Sequence, residues 1–279
     1  MKCIAVFSGV VTNTTTWTWS KALGAPSTMN YIDPGNRNAE KMLQNVDHQY
    51  QLTSNGTYEL PFGTGHFLLG NAPGWVQQVV NKWQLGGIMS YLTGAPLGFM
   101  TGTAAQSLTS GVQTITNVAA KPNVVGSMPS DVGTVTKLPG GVAYFNGYTQ
   151  IDDPYKSHVS TLNGLQTGFN NKAIAGPNAQ VLLVNPQPGQ IGSAGYSTFR
   201  GPGSFNLDMD MVKRFRIHES KEFEFRVDVI NVLNHPNFAA PVTNINATNF
   251  GTITSLASGV NTGGNGGMRS FVLNTRINF

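Results

Sequence analysis

Cysteine is almost missing from this chain of 279 residues: Cys3 stands alone. One thiol excludes an internal disulfide framework and a Cys-based zinc site. Charge is scarce as well. Asp, Glu, Lys and Arg make up 11% of the residues, against about 25% in a typical soluble domain. The formal charge of +4 is spread out, with no Lys/Arg block, so nucleic acid is not expected as a partner. No run of about 18 apolar residues occurs, which excludes a membrane-spanning α-helix and leaves a β-barrel open.

Signs of catalytic chemistry are equally thin. The histidines His48, His66, His158, His218 and His235 are scattered and solitary. Asp152, Asp153 and His158 lie close together but match neither a calcium loop nor a two-His zinc pattern. In "PFGTGHFLLG", Leu68 occupies the place of the third glycine of a dinucleotide fingerprint. No G-x-S-x-G setting is present. The expectation is therefore no enzyme, no cofactor and no metal.

What the chain does have is glycine, asparagine, threonine and alternation. The clearest stretch is Ser204 to Leu233, "SFNLDMDMVKRFRIHESKEFEFRVDVINVL". Phe205, Leu207, Met209, Met211 and Phe215 share one parity, and Phe223, Phe225, Val227, Val229 and Leu233 continue it after a polar turn. Opposite them stand Asp208, Asp210, Arg214 and Arg216, then Glu222, Glu224, Arg226 and Asp228. A period of two belongs to a β-strand with two different faces, here joined as an antiparallel hairpin. Strands of globular proteins run about five or six residues, whereas a tilted membrane-crossing strand needs about 9 to 11. Two long strands, greasy on one side and charged on the other, suit a barrel wall between lipid and a wet lumen. An amphipathic hairpin of a soluble β-sandwich has the same pattern. Charge selects a register: Arg216 opposite Glu222, Arg214 opposite Glu224, and Asp210 opposite Asp228 with Arg226 as diagonal partner.

Four more strands are expected, near 14–20, 47–60, 82–93 and 269–279, beside 204–216 and 222–233 of the hairpin. Trp17 and Trp19 share a face of the first, as interfacial aromatics do. The connections 21–46, 94–203 and 234–268 are rich in turn residues; 94–203 shows no strong period, although Val181–Val184 suits a short strand. Residues 1–11 look like a stunted signal peptide without an A-x-A-like site, so an internal start is expected. Lys213, the one charge on the apolar parity of its strand, is expected near the turn, with its ammonium reaching headgroups or water. The eight apolar residues Phe205, Leu207, Met209, Met211, Phe223, Phe225, Val227 and Val229 are expected to form a surface with no protein layer over it.

Several segments together carry a family resemblance: "YELPFG", "LLGNAPGWVQQVVNKWQLGGIMSYLTGAPL", "RGPGSFNLDMDMVKRFRI", "EFRVDVINVLNHPNF" and the terminal "RINF". In this order they resemble the C-terminal barrel portion of TonB-dependent outer-membrane receptors, most closely the Oar-like subgroup with a carboxypeptidase-regulatory-like domain. The resemblance implies an all-β, antiparallel up-and-down transmembrane barrel segment with long external loops, in the bacterial outer membrane. It implies lipid and the barrel-assembly machinery as partners, the latter reading Phe271, Leu273, Ile277 and Phe279. It implies the TonB complex only through a plug domain, which this chain does not show. Such receptors have about 22 strands, and six cannot close that barrel, so the chain is expected to be a fragment not competent for transport alone. Its alternative is a soluble or surface-exposed β-sandwich that binds glycans or cell surfaces. Counted back from Phe279, connections alternate long and short as external and periplasmic ones should, except that 61–82 is too long for a simple turn.

Overall fold

Apolar residues recurring at alternate positions build six long strands, all neighbours antiparallel and all in chain order. The computed structural model describes residues 10–25, 38, 41–66, 68–102, 105–108, 115–118, 121–129, 132–162, 166, 171–187, 190, 192–218, 221–257 and 267–279. Cys3, most of the segment read against a signal peptide, much of the 21–46 connection and most of the "NTGGNGG" stretch lie outside the described residues. The strands are β1 (Val11–Trp19), β2 (Tyr50–Glu59), β3 (Trp83–Leu92), β4 (Ser204–His218), β5 (Lys221–Ile230) and β6 (Ser270–Asn278). They form one meander, with β1 and β6 at its two edges. The sheet is open: no ladder joins β1 to β6.

Register turns the alternation into two faces. Val11, Tyr58, Leu85, Met211, Val227 and Leu273 stand side by side, one from each strand, as a single apolar row. The next row on the other face reads Thr12, Thr57, Gly86, Asp210, Asp228 and Val272. Of the eight apolar residues of the β4–β5 hairpin, none is buried, and none belongs to the hydrophobic core of the described residues. Among the described residues no strand outside the meander pairs with it; seven of the eight are half-buried and Met209 is 37% exposed. The faces are not pure. Ile88 and Val272 are exposed on the polar parity. On the apolar parity, Asn13, Thr15 and Ser54 form a small hydrogen-bonded group, with Ser54 Oγ 2.9 Å from Thr15 Oγ1 and 3.1 Å from Asn13 Oδ1.

Strand limits differ from the sequence expectation for local reasons. β1 begins at Val11 rather than Thr14, because Thr12 and Asn13 already pair with Thr57 and Gly56. β2 begins at Tyr50 rather than Asp47, because the Asp47 side chain is engaged elsewhere. β5 ends at Ile230 rather than Leu233, because Asn231 takes φ 50° and turns the chain; Asn tolerates that left-handed conformation better than most residues.

The buried core lies beyond one end of the sheet, in the connections. Residues 94–203 are not a structureless loop. They contain the strands Thr149–Asp152, Lys172–Ala175, Val181–Val184 and Asn123–Val124, which form a four-stranded sheet. Thr136–Leu138 and Gly141–Ala143 pair with each other, and the latter pairs with Thr252–Ile253 from the 231–269 connection. Aromatic rings fill the interior: Phe99 lies 4.9 Å from Phe199, Phe145 lies 5.1 Å edge-on to Phe199, and Phe250 stacks on Phe145 at 5.2 Å. Ile174, Leu182, Leu183 and Ile245 complete it, each almost wholly buried. Burying one such side chain stabilises by about 1.5–3 kcal/mol, which offsets the entropy of ordering so long a connection.

At the other end are the hairpin turn after His218 and the 60–82 connection. The latter is not a turn. It carries α1 (Gly74–Val80). Seven residues are too few for a stable isolated helix, and side-chain amides hold this one. Gln77 Nε2 donates to the carbonyls of Leu69, Gly70 and Ala72 at 2.7, 3.1 and 3.3 Å. Asn81 Oδ1 accepts from the Thr64 amide at 2.9 Å.

Candidate functional site: the charged face and the loop body

The charges of β4 and β5 share one face, and the ladder sets Arg214 opposite Glu224, Arg216 opposite Glu222 and Asp210 opposite Asp228. That is the register selected by charge. Arg214 Nε donates to Glu224 Oε2 at 2.8 Å, and its Nη1 reaches Gln84 Oε1 at 3.4 Å. Arg226 lies between the two aspartates, 2.6 Å from Asp228 Oδ1 and 4.0 Å from Asp210 Oδ2. Asn274 Nδ2 adds a bond to Asp228 at 2.9 Å from the neighbouring β6. These groups are part-exposed, so each contact contributes about 0–1 kcal/mol and mainly settles alignment.

Two members of the set behave differently from expectation. Glu222 faces Arg216 in the ladder, but its carboxylate pairs with Lys82 Nζ at 3.3 Å. Lys82 follows α1 at φ 58°, which brings its side chain to the strand end; Arg216 is left exposed. Asp208 is not a free wall charge. Its Oδ1 accepts from the Asn231 amide at 2.7 Å and from Asn206 Nδ2 at 2.8 Å. It therefore holds the bend where β5 leaves the sheet. Asn231 continues the tie, accepting from the His235 amide at 3.0 Å and donating to the Gly267 carbonyl.

Lys213 sits opposite Trp83, at the end of the sheet that carries the hairpin turn and α1. Its ammonium does not reach open solvent. Lys213 is 0% exposed, donates to the Asn81 carbonyl, and lies 4.9 Å from the Phe215 ring and 5.5 Å from the Trp83 ring. The connection after α1 folds back over the strand end and supplies a carbonyl closer than water, which the pattern of alternation does not reveal.

On β6 and after it, Phe271, Leu273, Ile277 and Phe279 are exposed, by 65%, 67%, 50% and 87%. They line the outer edge of the sheet on the apolar parity.

The connections at the opposite end are tied to each other through polar side chains. Asp47, 1% exposed, takes Arg200 Nη2 at 2.6 Å and the Ala22 amide at 2.6 Å. Arg200 Nη1 also donates to the carbonyls of Asp47 and Gly94 at 3.2 and 3.1 Å. One ion pair thus holds two connections together, 20–49 and 93–203. Burial works against ionisation of Asp47, but the Ala22 amide and the Arg200 guanidinium outweigh it and hold the carboxyl below its ordinary value. Deeper in the loop body, Asp153 Oδ2 accepts from Asn185 N at 2.8 Å and from its Nδ2 at 3.0 Å. Asn246 links Asn185 Oδ1 at 2.7 Å to the Thr101 carbonyl at 2.9 Å. The expectation read only Asp152, Asp153 and His158 as neighbours in sequence; Asp153 is engaged in this structural network. Among the described residues no group of three His, Cys, Asp or Glu is placed to hold a metal ion.

An antiparallel meander with a six-residue apolar row on one face, salt-bridged charges on the other, and folded connections concentrated at one end has the properties of an outer-membrane barrel wall. Residues 5–270 match the family described as an outer membrane beta barrel domain. The chain belongs to that family. No curated protein and no solved structure matches it.

Proposed function

We propose that this chain is barrel wall and external loop body of a TonB-dependent outer-membrane receptor of the Oar-like subgroup, in the bacterial outer membrane. The observation that carries the reading is the uninterrupted row Val11–Tyr58–Leu85–Met211–Val227–Leu273 with charged residues on the reverse face. The apolar row meets lipid. Asp210, Arg214, Glu224, Arg226 and Asp228 line the lumen, where part-hydrated ion pairs are tolerated. The core-bearing connections 93–203 and 231–269 face outward and receive the ligand, while the hairpin turn and α1 face the periplasm.

The wall acts by geometry and not by chemistry: the protein is not an enzyme and needs no cofactor. An open edge in lipid leaves backbone groups unsatisfied, so β1 and β6 pair with further strands in the working barrel. The exposed apolar residues Phe271, Leu273, Ile277 and Phe279 are those the barrel-assembly machinery reads. The TonB complex acts through a plug seated in the lumen, and transport requires that plug.

The test has two arms. Band migration that shifts on boiling, together with resistance to urea extraction from outer membranes, is expected of a barrel. Cross-linking from a photoreactive group at position 210 to a plug is expected of a receptor. Extraction by urea overturns the membrane reading; a resistant barrel with no such cross-link overturns the receptor assignment alone.

A further inference from the structure

The 60–82 connection has a construction that a simple turn does not need. α1 presents Trp75 and Val79, four residues apart and therefore on one face, to the outside at 74% and 54% exposure. Leu68 and Leu69 beside it are 43% and 52% exposed. Its amide side chains point the other way: Gln77 binds three carbonyls of its own connection. Gln77, Asn81 and Lys82 line a cavity of about 560 Å³ with Arg214 and Arg216. Trp75 and Val79 form the exposed apolar strip of the helix, with Gln78 exposed beside it and Val76 and Val80 half-buried.

Its attachment fixes where the apolar side lies. Trp83 and Lys213 belong to the apolar parity of the sheet, in register with Phe225. Trp83 Nε1 donates to the Val79 carbonyl at 2.8 Å, and Lys213 Nζ donates to the Asn81 carbonyl. Both bonds run from the apolar face of the sheet to the C-terminal end of α1. The exposed Ile217 and Phe279, at 62% and 87%, lie at the same end. The C-terminal end of the helix is thus held against the apolar face of the wall, while Lys82 reaches Glu222 on the charged one.

We infer that the 68–80 segment is an interfacial element: α1 lies in the periplasmic lipid–water boundary with Trp75 and Val79 in the bilayer, clamped to the wall through Trp83 and Lys213. The inference rests on the barrel reading above. The occupant is a lipid surface, because the apolar patch extends a face that already meets hydrocarbon. An amphipathic helix with an aromatic on its apolar side buries that side a few ångströms into the headgroup and acyl boundary, and indoles favour that depth. The covered ammonium of Lys213 has a purpose in this arrangement. It ties the helix to the wall at a depth where a turn of bare backbone would leave carbonyls without partners.

The experiment places single nitroxide labels at Val79→Cys, Thr64→Cys and Met209→Cys, with Cys3→Ser, in the protein reconstituted in phospholipid bilayers. Collision with oxygen is compared with collision with a water-soluble nickel chelate. The expected result is an oxygen-favouring ratio at 79, intermediate between a strongly oxygen-favouring 209 and a nickel-favouring 64. A label at 79 that matches the one at 64, while 209 remains in lipid, overturns the interfacial helix. So does a label at 79 shielded from both reagents, which means that protein covers it. A nickel-favouring 209 overturns the barrel reading itself, and the inference with it. Trp75→Ser, which touches none of the amide anchors, is expected to shift the ratio at 79 toward the aqueous value.

Discussion

The carboxylate of Asp210 lies over Gly86 on the neighbouring strand, so close that a methyl group on Gly86 would stand 2.1 Å from its Oδ1. The absent side chain makes room for the charge, which Arg226 then approaches from the other side. Gly87, one residue on, faces the apolar side, where a methyl group would meet only the Asp208 carbonyl at 3.7 Å. Adjacent glycines therefore answer the same substitution in opposite ways. Gly86→Ala is expected to destabilise by up to about 1 kcal/mol, because the Asp210 carboxylate must rotate away and give up its contact with Arg226. Gly87→Ala is expected to be neutral or to stabilise by up to about 1 kcal/mol through lost freedom of the unfolded chain. Urea titration of the reconstituted protein, followed by gel migration, separates the two.

Asp47 and Arg200 join two connections, and the depressed carboxyl makes the joint dependent on pH. A carboxyl whose folded pKa lies below its unfolded value of about 3.9 contributes stability that is present above that value and lost as pH falls through the folded one. External proteolysis should therefore spare the connections at neutral pH and accelerate below about pH 4. In Asp47→Asn the connections are expected to be cut faster at neutral pH, and the difference from the parent should narrow below about pH 4. A difference that widens in acid would show that Asp47 is not the titrating joint.

Strand positions were legible because each strand divides two unlike surroundings, and a period of two survives few interruptions. Register was legible where charge marked it, from Asp210 to Asp228. The loop body was not, because Phe99, Phe145, Phe199 and Phe250 come together from separate parts of the chain with no period between them. Asp47 looked like the start of a strand, since its partner Arg200 is 153 residues away. The helix after Pro73 was hidden by its length; two turns among glycines and prolines carry too little pattern to distinguish from a loop. Lys213 was placed at the correct end of its strand but in the wrong surroundings, since only the folded connection supplies the Asn81 carbonyl.

That carbonyl gives a third expectation. Lys213→Met keeps most of the apolar stem beside Phe215 and Trp83, but leaves the half-buried Asn81 carbonyl without its donor. A cost of about 1–3 kcal/mol is expected, concentrated in the 60–82 connection. Amide exchange should accelerate in residues 74–82 and remain unchanged in β5. Uniform acceleration through the sheet would mean that the lysine supports the wall rather than the helix.

The alignment of β4 and β5 can be tested without a structure. A slip of two residues, pairing Arg216 with Glu224, would set Arg214 against Arg226 and carry Asp210 away from Arg226. A slip of one would turn β5 over relative to β4, placing Glu222, Glu224, Arg226 and Asp228 on the apolar side. The opposite-charge contacts are weak singly, about 0–1 kcal/mol, so a double-mutant cycle on Arg214 and Glu224 should return a coupling in that range. The two-residue slip is opposed by like charge in addition. Cysteines placed at 214 and 224 are expected to cross-link under mild oxidation, as facing residues of the ladder, while the pair 214 and 226 should not. Cysteines at 211 and 227, another facing pair of the ladder, leave the charges in place: if Glu224→Ala leaves this pair efficient, apolar packing of Phe215 against Phe223, whose rings lie 6.3 Å apart, maintains the alignment. If cross-linking moves to 211 and 229 in that variant, the charge pair is what holds the strands in step.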